Sequence, residues 1–199
     1  MSEKQQQQMR KALADWVDLT DNQFSQLAEI FNSRTVKAKQ DILLPHTSVH
    51  KIYFVCDGLL RFYYLSDRGV ESNKAFVAEN TFAGALAALN LDLPVLYGIQ
   101  ALEPTTYLVA RLQDFVDLYE QDYAFERLGR KFAEWLLIRK ELRTRSLLQQ
   151  QAKQRYVSFM QNYSGLISRV PQYHIASYLG ITEVSLSRIK RELAKKQHF

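Results

Sequence analysis

Between Arg34 and Leu112, short runs rich in Val, Ile, Tyr and Phe alternate with turn signals. This pattern constrains the fold of the chain more than any other feature. The stretch KIYFVCDGLLRFYYLSDRGVESNKAFV reads as strand, Asp-Gly turn, strand, Asp-Arg-Gly turn, strand. YGIQALEPTTYLVARL reads as strand, Pro-Thr turn, strand. Many short strands at regular spacing predict a β-sandwich or jelly-roll barrel. No internal repeat interrupts it.

Helical spacing flanks this region. Before it, residues 5–31 carry Leu13, Trp16 and Leu19, then Phe24, Leu27 and Ile30. The four glutamines at 5–8 read as a frayed end. After it, a helical region begins near Gln113. Phe125, Leu128, Phe132, Trp135 and Leu142 recur at spacings of three, four and seven, a heptad-like seam that Arg139 and Ser146 interrupt. Trp135-Leu136-Leu137-Ile138 is apolar all round, so it is buried on more than one side. One side would cover the barrel and the other a second copy of the chain, or the helix is internal core.

Charge separates the last quarter from the rest. Residues 1–150 hold 18 Lys and Arg against 19 Asp and Glu, whereas residues 151–199 hold 8 against 2. The whole excess behind the net charge of +5 is therefore C-terminal. A basic module on a near-neutral body points to a polyanion partner; a solvated basic tail is the plainer reading. Three short helices fit this region, at roughly 152–163, 171–179 and 182–195. In the last, Thr182 suits the N-cap. Leu186, Ile189 and Leu193 share one face, while Val184, Ser187, Arg188 and Arg191 share the other. Ala176 allows close helix crossing, Gly180 supplies a positive φ, and Leu186 follows six residues later. This is a helix-turn-helix pattern.

RVPQYHIASYLGITEVSLSRIKREL resembles the C-terminal module of the Crp/Fnr family of bacterial transcription regulators. The order of elements agrees over nearly the whole chain. The resemblance implies an α+β fold: an N-terminal helix and jelly-roll sensor barrel (1–122), a long dimerisation helix (123–150) and a winged helix-turn-helix domain (151–199). It implies a homodimer, with the seam Phe125, Leu128, Phe132, Trp135 and Leu142 as its interface. Its double-stranded DNA site would be two-fold symmetric, with half-sites about one helical turn apart. The family often shows Glu-x-x-Ser-Arg on the DNA face. Ser187 and Arg188 match, but Val184 stands at the glutamate position and Glu183 lies about 100° round the helix. The cytosine contact of such a glutamate is thereby in doubt; Val184 would instead meet a thymine methyl. Thr182 belongs to the same site, and Gln172, Ser185, Lys190 and Arg191 are expected on phosphates. RNA polymerase is a further partner if the protein activates, though no residue here identifies a surface for it.

The family's cyclic-nucleotide cassette corresponds to TFAGALAALNLDLPVLYGIQA. Gly84 matches its glycine, but Ala85 takes the ribose-binding glutamate position. Residues 75–110 contain no Lys or Arg. A buried phosphate without cationic partners is costly, so cyclic nucleotide binding is not expected and no cofactor is predicted. The apolar residues there, including Phe82, Leu86 and Leu96 beside Gly84, either fill the core or line a pocket for an apolar or neutral small molecule. A barrel that no longer senses anything is the third reading.

No catalytic or metal site is expected. Cys56 alone cannot ligate an iron–sulfur cluster. His46 and His50, if extended, lie roughly 13 Å apart. A cupin-like metal enzyme would need converging histidines, and only four exist in the chain. A protein-interaction module without DNA binding is the remaining alternative. No apolar run reaches the roughly 18 residues of a membrane span, and MSEKQQQQMRK lacks the apolar segment of a secretory signal, so a cytoplasmic location is the default expectation.

Overall fold

Both N-terminal helices start from a capping box. The computed structural model describes residues 1–84 and 93–196. Helices α1 (Glu3–Ala14) and α2 (Asp21–Glu29) begin at Ser2 and Thr20, which pair reciprocally with Gln5 and Gln23. Each box satisfies two otherwise orphaned N–H groups. The glutamines at 5–8 are therefore not a frayed end. Gln5 Nε2 donates to Ser33 Oγ at 2.9 Å, and Gln8 Nε2 donates to the Cys56 carbonyl at 3.2 Å.

Among the described residues eight strands follow: β1 (Asn32–Val36), β2 (Asp41–Leu43), β3 (Lys51–Asp57), β4 (Leu60–Leu65), β5 (Glu71–Val77), β6 (Thr81–Gly84), β7 (Tyr97–Ala101) and β8 (Thr105–Arg111). They form two four-stranded sheets ordered β1-β8-β3-β6 and β2-β7-β4-β5. The out-of-sequence neighbours make the jelly-roll sandwich that the turn spacing predicts. Strand β3 is buried on both faces, and its alternation sorts two cores. Ile52, Phe54 and Cys56 join the cluster shared with the helices. Tyr53 and Val55 join the cluster of residues from both sheets, with Phe62, Tyr97, Ile99 and Tyr107. The Asp57-Gly58 turn after β3 has φ 99° at the glycine, where a Cβ would come within 2.5 Å of Thr105 Oγ1. Only glycine meets both conditions.

Helix α3 (Leu112–Asp117), a single 3₁₀ turn (Leu118–Glu120) and the long α4 (Tyr123–Gln149) follow β8. By its contacts the chain divides into two units, Met1–Glu71 with Ala75–Leu136, and Ser72–Lys74 with Leu137–Phe199. In the first unit, the opening turns of α4 complete the barrel's own core. Phe125, Leu128 and Phe132 are at most 1% exposed. Trp135 packs beside them, its ring 5.7 Å from Trp16 and 6.1 Å from Phe132. The expected dimer seam is corrected on this point: these residues are occupied within one protomer. Of the five, only Leu142 is exposed, together with Leu137 and Ile138.

The second unit holds α5 (Ala152–Asn162), a 3₁₀ turn (Ser164–Leu166), α6 (Gln172–Leu179) and α7 (Glu183–Lys196). The sequence places these helices to within a residue or so. No strand follows Arg111 among the described residues, so the wing implied by the resemblance has no strand among them. Among the same residues no helix is long and apolar enough to cross a membrane.

Candidate nucleic-acid interface

Helix α6 ends in a Schellman motif. Gly180 adopts φ 65°, ψ 40°; its N–H donates to the Ser177 carbonyl at 3.1 Å, and the Ile181 N–H to the Ala176 carbonyl at 3.1 Å. Two arginines from elsewhere in the unit complete the end. Arg155 Nε donates to the Leu179 carbonyl at 2.9 Å, and Arg143 donates to the Tyr178 carbonyl while lying 3.9 Å over the Tyr178 ring. Cations at a helix C-terminus satisfy its free carbonyls and meet the negative end of its dipole. Gly180→Ala should cost about 1–2 kcal/mol of stability in this unit, because an L-residue is strained at this φ. Space is not the cause, since the nearest atom to an added Cβ is Leu147 Cδ2 at 3.5 Å. Denaturant unfolding of the variant measures the loss.

The tight turn launches α7 from Thr182, whose Oγ1 accepts the Ser185 N–H at 3.2 Å. Leu186 and Ile189 are 1% and 9% exposed, and they close a small core with Ile175, Ala176 and Leu179. The opposite face is left to solvent: Val184 is 62% exposed, and Ser187, Arg188 and Arg191 are exposed as well. Neither Arg188 nor Arg191 is engaged by another side chain among the described residues. Lys190 Nζ reaches Gln172 Oε1 at 3.0 Å, which joins two of the expected phosphate contacts. Thr182 and Ser185 are tied to each other as the cap, and Ser185 is half-buried. Thus Val184, Ser187, Arg188 and Arg191 form one free face, with Gln172 and Lys190 beside it. Arg143 and Arg155, which hold α6, carry no local sequence signal for that role.

The residues proposed for an effector pocket do not converge. Phe82 lies in the helix-facing core, its ring 4.7 Å from Phe54 and 5.8 Å from Trp16. Gly84 faces the same way, a Cβ there meeting Phe132 at 3.5 Å. Leu96 is 55% exposed, and Leu86 lies outside the described residues. Strand alternation explains the correction: Ala83, between Phe82 and Gly84, is the β6 residue that joins the two-sheet cluster. That interior is lined instead by Tyr53, Phe62, Tyr97 and Tyr107 with aliphatic residues, and the buried Tyr53 hydroxyl has no hydrogen-bond partner among the described residues. Burial raises the pKa of all three phenols. Cys56 is buried, and desolvation with Asp57 nearby pushes its thiol up to about 11, so it is a packed hydrophobe rather than a thiolate. His50 Nε2 lies 2.8 Å from the Leu93 carbonyl, and no cluster of three metal-ligating side chains occurs among the described residues.

Residues 33–122 match the family model of the cyclic nucleotide-binding domain. No curated protein matches the chain in sequence. Among solved structures, FixK2 from Bradyrhizobium japonicum superposes with a TM-score of 0.74 at 18% identity, over 84% of this chain and 86% of that one. The c-di-GMP responsive global regulator CLP of Xanthomonas campestris gives 0.67 at 13% identity, over 87% and 91%. The sensor domain of the transcriptional regulator DNR from Pseudomonas aeruginosa gives 0.57 at 18% identity, over 73% and 95%. At these identities the likeness is one of fold: a cyclic nucleotide-binding-type barrel, a long helix and a helix-turn-helix.

Proposed function

We propose that this chain, built on the Crp/Fnr plan, is a dimeric, sequence-specific DNA-binding transcription regulator. The observation that carries the reading is the free face of α7. Val184, Ser187, Arg188 and Arg191 stand exposed opposite the buried Leu186 and Ile189, on the second helix of a closed helix-turn-helix. Such a helix lies in the major groove, where guanidinium groups bond guanine edges or phosphates. The excess of basic residues after residue 150 supplies the long-range attraction. The fold shared with CLP, a global regulator, and DNR, a transcriptional regulator, agrees with it.

Dimerisation falls to the half of α4 beyond the barrel core. Ile138 and Leu142, one turn apart and each 58% exposed, make an apolar stripe with Leu137 beside them. The hydrophobic cluster between the sheets holds Tyr53, Phe62, Tyr97 and Tyr107 with aliphatic residues. The barrel's buried Arg61 faces away from them, bonded to Glu71 at 2.6 Å and Gln100 at 2.8 Å. The stretch 75–110 without Lys or Arg supports an effector other than a cyclic nucleotide, or none.

One titration tests the reading. Affinity for a duplex, followed against salt, should fall with a log–log slope of about −3.6 or steeper, from Lys190 and Arg191 in each protomer. Leu142→Glu should sediment as a monomer and lose most of the affinity, because two half-sites are no longer held together. A salt-independent or absent affinity would favour an interaction module.

A further inference from the structure

Val184 is the odd residue on the free face of α7. It is 62% exposed, has no part in the helix-turn-helix core, and stands among Ser187, Arg188 and Arg191. Nothing in the fold needs a valine there. Its branched side chain makes it a poorer helix former than alanine, and its methyls face water. Its place is nevertheless specific. It is the second residue of α7, just after the Thr182 cap, and the N-terminal residues of a groove-bound helix meet the base edges. It lies one turn before Ser187 and Arg188 on the same face.

The chemistry it offers is narrow. With no polar atom, Val184 neither donates nor accepts a hydrogen bond. Among the features of base edges in the major groove, only one is apolar, the C5-methyl group of a pyrimidine. Glu183, the nearest acid, is exposed on a different side of the helix. The stiff χ1 of valine also means that little rotamer freedom is lost when it docks. We infer that Val184 reads a pyrimidine C5-methyl, that of thymine, at one position of each half-site. The inference rests on the DNA-binding reading above and adds to it which base the helix selects.

The effect follows from burying one methyl group. That corresponds to about fourfold in affinity per half-site, and roughly fifteenfold over two half-sites. The experiment uses the full-length protein and the duplex that it selects. Each thymine is replaced singly, in both half-sites, by deoxyuridine, which removes only the methyl. One position should lose about fifteenfold, the other thymines little. Val184→Ala, an exposed change that leaves the helix-turn-helix core untouched, should narrow the gap between thymine and uracil duplexes. A C:G pair placed at that position should gain affinity when its cytosine carries a 5-methyl group, which separates recognition of the methyl from recognition of an A:T pair. Uracil tolerated at every position would overturn the inference while sequence-specific binding kept the DNA reading intact. So would a uracil penalty undiminished in Val184→Ala, or a 5-methylcytosine that brings no gain. If no duplex is bound, the DNA reading itself fails and the inference with it.

Discussion

Phe132→Ala should destabilise the barrel unit by about 3–5 kcal/mol, the usual result of truncating a buried aromatic. Phe132 is 1% exposed, with its ring 5.9 Å from Trp16 and 6.1 Å from Trp135, and 6.3 Å from Phe82 in an edge-on arrangement. Removing it opens a cavity lined by large rings that cannot all collapse inward. The variant also decides what the helical seam does. A core residue loses the same stability in the monomeric Leu142→Glu background as in the parent chain. An interface residue costs nothing once the interface is gone. Urea unfolding of the two single variants and the double variant gives the answer, and equal losses of several kcal/mol are expected.

The largest effect on binding should come from Arg188→Ala. A guanidinium that makes two bonds to guanine O6 and N7 contributes about 1–3 kcal/mol of discrimination. A dimer on two half-sites would lose roughly twice that, and specificity should relax at one position per half-site. Arg188→Lys should not restore it, because an ammonium lacks the planar fork. Lys190→Ala provides the contrast. Lys190 sits beside Gln172 at the edge of the free face, so its loss should weaken all sequences alike and lower the salt slope. A uniform loss for Arg188→Ala would instead place Arg188 on a phosphate.

The parts of the molecule that are legible in the sequence are those specified locally. Pro171 before α6, Gly180 after it and Thr182 before α7 each act through their own backbone geometry, so both helices and the face between them can be read directly. Choices between two apolar environments are not local. KIYFVCD is buried on both sides, and its alternation does not say which side meets helices and which the other sheet. The sequence accordingly leaves Phe82 and Gly84 open between core and pocket, and the structure turns both toward the helices. The seam Phe125-Leu128-Phe132 has the spacing of a dimer interface because an amphipathic helix buries the same pattern against any apolar surface. Only the docking of α4 on Trp16 and Phe82 distinguishes the two, and those contacts join residues far apart in sequence. The capping of α6 by Arg143 and Arg155 is invisible for the same reason.

The central claim, that the free face of α7 reads DNA as part of a two-fold symmetric dimer, is tested most directly by selecting bound sequences from random duplex DNA. The purified protein should enrich a palindrome with half-site centres about one helical turn apart, either alone or once cell extract supplies an effector. In each half-site, a guanine for Arg188 and a thymine for Val184 should fall close together. A pool that stays random under both conditions, or an enriched site with a single unrepeated half, would contradict the account.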